Sequence, residues 1–285
     1  EDDDVVGCPY VPPMGDLTPF APWLDRWGLT PDGEPFTTRY AKNHLLPVRQ
    51  GETPAMLKIA VSKDEIDGGA LMAWWAGEGA ARVLAREAEA LLLERLRAVR
   101  SLAAMARDGR DDEATRILCA VAEALHAPRA VAAPQSLYPL EVWLRALAPA
   151  AAAHGGVLTA SLEAATALLA DPRDIVVLHG DLHHENVLDG GDRGWLVIDP
   201  KGVLGERTYE FATTIINPDA ETAFRPGRIA RQAAVVAEAA HLEPQRVVRW
   251  LLAHAGASAA WCMQDGFDPT DALRIAEIAR AELGV

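Results

Sequence analysis

The run Ile175-Val176-Val177-Leu178, the polar loop His179-Gly180-Asp181-Leu182-His183-His184-Glu185-Asn186, and the run Trp195-Leu196-Val197-Ile198 ending at Asp199 constrain this chain more than any other stretch. The two apolar runs are short, β-branched or aromatic, and bounded by turn residues, so they are predicted strands. A Gly-rich turn from Asp189 to Gly194 separates them. Asp181 and Asn186 therefore sit on the loop after one strand, and Asp199 sits where the next strand ends. Phosphoryl transfer has uses for such a set. It needs a carboxylate to orient an attacking hydroxyl, and oxygen ligands to hold magnesium against phosphates. Magnesium takes hard oxygen ligands and few of them from the protein, so Asn186 and Asp199 suffice as its ligands, with Asp181 as the base.

Three other readings compete for the same residues. His179, Asp181, His183 and His184 resemble a zinc cluster of a metal-dependent hydrolase. Against it, no second His/Asp cluster follows, and adjacent His183 and His184 point different ways. Asp181 is also a common turn residue that satisfies backbone amides, which would make the loop purely structural. A catalytically dead nucleotide-binding protein would keep the layout, but the base and metal positions are all intact.

The stretch His179–Asn186, followed by Trp195-Leu196-Val197-Ile198-Asp199-Pro200-Lys201-Gly202, resembles the catalytic and metal-binding loops of the aminoglycoside phosphotransferases. Within them it is most similar to the branch of streptomycin 6-kinases and aminoglycoside/hydroxyurea resistance kinases. The likeness continues through Val203-Leu204-Gly205-Glu206-Arg207-Thr208-Tyr209-Glu210, and upstream through Pro54–Ile59 and Leu71–Trp75. One departure is Glu185, where a smaller residue is common.

The resemblance implies an α+β, protein-kinase-like bilobal fold. A small β-rich nucleotide-binding lobe would span 1–95, and a larger, mainly helical lobe would span 96–285 and carry the catalytic and metal loops. It implies ATP (or GTP) and magnesium as cofactors, with nucleotide in the crevice between lobes. The substrate would be a small, cationic aminoglycoside such as streptomycin, or another small alcohol or hydroxyurea. Lys58 would grip the α- and β-phosphates rather than snorkel from an edge strand, with Thr37 to Asn43 covering them. Glu65, the sole glutamate of the helix expected over 64–75, would fix that lysine. Glu94 and Leu96 would flank the adenine through main-chain groups. Glu206 and Glu210 are candidates for binding substrate cations, and Glu210 alternatively anchors the catalytic loop. His179 would support the loop, and His183 and His184 would serve neither chemistry nor support.

Composition agrees with such a reading. The net charge of −14 over 285 residues disfavours nucleic acid and attracts cations. Cys8, Cys119 and Cys262 are sparse and unpaired in spacing, as in a reducing cytoplasm. No apolar run of about 18 residues predicts a span, and the acidic start Glu1–Asp4 lacks a signal core, so a soluble cytoplasmic monomer is expected. No phosphate-binding Gly-x4-Gly-Lys-Ser/Thr occurs, and Gly77-Glu78-Gly79 lacks a third glycine and a preceding strand.

Along the chain, seven of nineteen prolines precede residue 36, so an irregular start is expected, pinned by Trp23, Leu24, Trp27 and Leu29. Strands over 43–49 and 54–61 flank the turn Gln50-Gly51-Glu52-Thr53, and a second hairpin joins 82–85 to 90–93. Helices follow over 111–127, 137–153, 157–170, 228–240, 244–263 and 269–283. Asp111 would cap the first of these and Asp268 the last.

Overall fold

A computed structural model describes residues 15–38 and 42–284, which divide into two compact units. Glu1–Asp4, Cys8, and positions 39–41 of the stretch expected to cover phosphates lie outside the described residues. Among the described residues, the first unit holds those up to 100, 129–136 and 188–201; the second holds 101–128, 137–187 and those from 202 onward. Two later segments, one carrying Asp199, belong with the N-terminal residues rather than with the helical remainder.

In the first unit, helix α1 (Ala21–Trp27) occupies the start expected to be irregular. Pro22 costs nothing in its first turn, where a backbone N–H has no helical partner, and Gly28 ends it in the left-handed region at φ 60. Strands β1 (Leu29–Pro31), β2 (Phe36–Thr37), β3 (His44–Gln50), β4 (Thr53–Ile59), β5 (Val83–Glu87) and β6 (Ala90–Glu94) make one antiparallel sheet. Its order is β1-β3-β4-β6-β5, with β2 also on β3. Alternation decides the faces: Leu46 and Val48 on β3, Ala55 and Leu57 on β4, and Leu92 on β6 pack with Trp23 of α1 and with Phe20 just before it. Lys58 is one residue from Leu57 and so lies on the opposite face, paired in register with Leu45 and Leu91.

Helix α2 (Lys63–Trp75) packs near that opposite face and carries two adjacent glycines, of which only Gly68 is required by a close approach. A Cβ on Gly69 would meet Leu91 at 3.6 Å, whereas one on Gly68 would come within 2.0 Å of the carbonyl oxygen of Pro200. The segment after Asp199 therefore rests against α2 with no room for a side chain at 68. The short strand Trp195–Val197 pairs with Val187–Asp189, and Val197 also bridges to Ala80.

The second unit contains α3 (Leu102–Arg107), α4 (Asp111–His126), β7 (Tyr138–Pro139), α5 (Leu140–Trp143), α6 (Leu147–His154), α7 (Val157–Ala170) and β8 (Ile175–Leu178). Strand Val203–Glu206 then pairs antiparallel with β8 and parallel with β7. After it come α8 (Phe211–Ile216), α9 (Ala220–Ala223), α10 (Arg228–Ala239), α11 (Pro244–Asp265) and α12 (Thr270–Leu283). The 22-residue α11 is the axis of this unit, buried nearly all round at Trp250–Ala257 and at Ala259 and Ala260. Its small residues allow close packing: a Cβ on Gly256 would lie 2.3 Å from Ser161 of α7.

The continuous helix expected over 137–153 is broken into β7, α5 and α6. Tyr138-Pro139 joins the three-stranded sheet instead. Pro149 lacks the N–H that a continuous helix would direct to the carbonyl of Arg145, and its ring would clash there, so the helix restarts at Leu147. Asp111 is the first residue of α4 rather than its cap, which is Arg110. Asp268 accepts the N–H of Thr270 at 2.9 Å, at the start of α12.

Candidate active site

The first unit gathers four charged side chains. Lys58 Nζ donates to Glu65 Oε2 at 2.5 Å and also to Asp199 Oδ1. The other oxygen of Glu65 accepts from Lys201 Nζ, which lies 3.9 Å from Asp64. Lys58 is 6% exposed and Glu65 2%, so these buried charges compensate each other, with Asp199 as a second partner of Lys58 and Lys201 as a second partner of Glu65. Burial alone would push the Lys58 ammonium down; the carboxylates of Asp199 and Glu65 outweigh it and the net shift is upward. Burial likewise pushes Asp199 up, but Lys58 and Lys201 hold it below the usual carboxylate range. Asp199 is also one of few non-glycine residues at positive φ, 62. Aspartate tolerates that region better than most residues, and the turn ends the strand so that the carboxylate leaves the sheet.

The second unit holds the loop between β8 and Val187. Glu210, fully buried, accepts the N–H of His179 at 2.7 Å and of Gly180 at 2.9 Å, and contacts His126 Nε2 at 3.1 Å. Burial raises the Glu210 pKa, but His126 and these N–H groups more than reverse it. The carboxylate stays charged and clamps the loop one residue before Asp181. His179 Nδ1 accepts the N–H of Asp181, and Thr213 and Thr214 both donate to the carbonyl of Leu182. Asn186 donates its amide to the backbone oxygen of Asp181 at 2.9 Å and to Oδ2 at 3.3 Å. The amide nitrogen thus engaged, the amide oxygen is the atom Asn186 has to offer. The Asp181 side chain, one-third exposed, is reachable by a substrate.

Other expectations change. Glu206 is 1% exposed, and both its oxygens accept from Arg246 at 2.6 Å; burial raises its pKa, yet Arg246 brings it below the ordinary value. Glu206 and Glu210 thus both engage internal partners, Arg246 for the one and the loop N–H groups and His126 for the other. His183 is not idle: its Nε2 stands 3.7 Å from Asp181 Oδ2, while Nδ1 accepts the N–H of Glu185. His179 and His183 thus each spend a ring nitrogen on the backbone, and among the described residues no group of three His, Cys, Asp or Glu is placed to hold a metal. His184 is buried without a hydrogen-bond partner for either nitrogen among the described residues, and burial lowers its pKa to about 3.

Glu94 uses its side chain locally, accepting the N–H of Arg82 at 2.7 Å and pairing with Arg193. Its neighbour Leu96 is half-buried in the segment after β6. Lys201, His126 and Arg246 escaped the sequence reading. Lys201 alone left a signal, two residues beyond Asp199; the others come from distant helices.

In the first unit a strand lysine pairs with a helix glutamate, an ion pair that protein kinases also use; in the second, a buried glutamate clamps the Asp-x4-Asn loop. Solved structures share the fold. A thermostable mutant of aminoglycoside phosphotransferase APH(4)-Ia, in ternary complex with ADP and hygromycin B, matches with a TM-score of 0.62 at 14% identity, covering 92% of this chain and 97% of that one. The family model for aminoglycoside/hydroxyurea antibiotic resistance kinases matches residues 26–266, and the chain belongs to that family. Its relatives include streptomycin 3''-kinase of Klebsiella pneumoniae, 49% identical over 248 residues, 85% of this chain and 92% of that protein. Streptomycin 6-kinase of Streptomyces griseus is 29% identical over 291 residues, 91% of this chain and 86% of that protein. Among the described residues, no helix is long and apolar enough to cross a membrane.

Proposed function

We propose that this kinase transfers the γ-phosphoryl group of ATP or GTP to a hydroxyl of streptomycin, at the 3'' position. The observation that carries the reading is the 49% identity to a streptomycin 3''-kinase along most of both chains, against 29% to a 6-kinase. That position differs from the one for which the streptomycin 6-kinases of the resembled branch are named. The net charge of −14 suits a substrate bearing guanidinium groups.

Asp181 is the proposed base. It orients the attacking hydroxyl and takes its proton as the phosphoryl group moves, and the clamp from Glu210 supports its position. Lys58, steadied by Glu65, meets the α- and β-phosphates. The main chain at Glu94 and Leu96 is the proposed contact for the base of the nucleotide. Asn186 and Asp199 are the proposed magnesium ligands. Both offer hard oxygens, the kind that ion selects, and the amide of Asn186 is already oriented by Asp181. Bound there, magnesium would neutralise charge developing between the phosphates.

The test is incubation with ATP, magnesium and a panel holding streptomycin, hygromycin B and hydroxyurea. A gain of one phosphate on streptomycin, located at the 3''-hydroxyl by phosphorus NMR, is expected. Phosphorylation of hydroxyurea alone, or of streptomycin at position 6, would replace the reading.

A further inference from the structure

Glu65 is bonded by two lysines, one on each oxygen, and only one of them had a role to fill. Lys58 reaches it from β4; Lys201 reaches it from the segment that follows Asp199. Without Lys201, the buried group would hold Lys58 against two carboxylates, Glu65 and Asp199, and would carry a net negative charge. A nucleotide triphosphate approaching Lys58 would then face repulsion in a partly desolvated setting, where charges act strongly over several ångströms. With Lys201 the four side chains balance, leaving only the more exposed Asp64 at its edge, 3.9 Å from Lys201.

We propose that Lys201 is a positioning residue for nucleotide phosphates: it neutralises Glu65, so that the charge of Lys58 remains available to the nucleotide. The inference rests on the reading of Lys58 as the phosphate-binding lysine. The local packing supports a fixed geometry for it. Pro200, between Asp199 and Lys201, lies against Gly68 with no space for a Cβ, so the backbone carrying Lys201 is held beside α2. Lys201 is 17% exposed in its side chain, and Asp64, at 3.9 Å, limits its freedom further. A lysine serving only to staple this segment to α2 would act on stability and on every ligand alike. One acting through charge would act on phosphates alone.

The experiment compares ATP with adenosine, which shares the base and ribose but carries no phosphate. Binding of each is measured by calorimetry, without and with magnesium, for wild type, Lys201→Met, Lys201→Gln and Lys201→Arg. Lys201→Met and Lys201→Gln should weaken ATP about 10- to 100-fold while leaving adenosine within about twofold, and Lys201→Arg should recover most of the loss. The melting temperature should fall for the Met and Gln variants, because Glu65 Oε1 loses its partner, so binding is measured well below the transition of every variant. Glu65→Gln removes the charge that Lys201 balances, so adding Lys201→Met to it should cost less than in wild type.

Unchanged ATP affinity in the Met and Gln variants, or equal weakening of ATP and adenosine, overturns the proposal. So does strict additivity with Glu65→Gln. Lys58→Met separates the two levels. If that variant keeps full ATP affinity, the nucleotide reading itself fails; if it loses ATP while the Lys201 variants do not, only this inference fails.

Discussion

The carboxylate of Glu210 lies 2.7 Å from the backbone nitrogen of His179, two residues ahead of Asp181 in the chain. A residue 31 positions downstream thereby fixes the conformation of the loop that carries the candidate base. Glutamine at 210 keeps the volume but has only one acceptor, so one of the two loop N–H groups loses its partner. Glu210→Gln should cost roughly 1–3 kcal/mol of stability and lower turnover, because the loop relaxes. Thermal melting and kcat measured together check this; an unchanged pair of values would remove the clamp from the account.

Asp181→Asn keeps shape and removes the base. Turnover should fall by about 10²–10⁴-fold with nucleotide affinity unchanged. Normal turnover per folded molecule would assign Asp181 a structural role only.

Asp199→Asn should behave differently. Lys58 keeps Glu65, so the fold survives, but magnesium-dependent ATP binding weakens and transfer nearly ceases. Magnesium titrations of binding and rate are the measurement, and wild-type turnover at saturating magnesium would exclude Asp199 as a ligand.

Gly68→Ala weighs two opposite effects. Alanine gains about 0.5–1 kcal/mol in a helix over glycine. Here its Cβ would lie 2.0 Å from the Pro200 carbonyl oxygen, and overpacking of that kind costs about 1–3 kcal/mol. The clash wins: the variant should melt lower and bind ATP more weakly, since Asp199 and Lys201 flank Pro200. A raised melting temperature with unaltered ATP affinity would contradict the packing.

Acid sensitivity should trace partly to His254. Burial lowers its pKa to about 4, the charge of Asp181 opposing that shift, while its Nδ1 meets Tyr209 Oη at 3.0 Å and Trp261 packs at the ring. Between about pH 6.5 and about 4 the unfolded chain binds a proton that the native chain refuses, so stability falls as pH falls. At pH 5 the loss is about 2 kcal/mol from this residue. His254→Asn retains a partner for Tyr209 without the titration. Urea midpoints at pH 7.5, 6.5 and 5 should decline less for the variant than for wild type; parallel declines would exonerate His254.

Local chemistry made much of the molecule legible in advance. The strands around Asp181 and Asp199, the hairpin carrying Lys58, and helices such as Val157–Ala170 are dictated by periodicity, β-branching and turn residues within a few positions. The Asp-x4-Asn spacing and the position of Asp199 at a strand end pointed to phosphoryl chemistry for the same reason. What tertiary structure alone decided depends on residues far apart in sequence. Leu137–Ala153 breaks because Tyr138-Pro139 finds a sheet partner at Val203-Leu204. Glu206 and Glu210 turn inward because Arg246 and the backbone at 179–180 meet them. Lys201 joins Glu65 across 136 positions because Gly68 admits the Pro200 backbone. A buried carboxylate needs a partner, and no spacing rule in the chain says which distant one the fold will deliver.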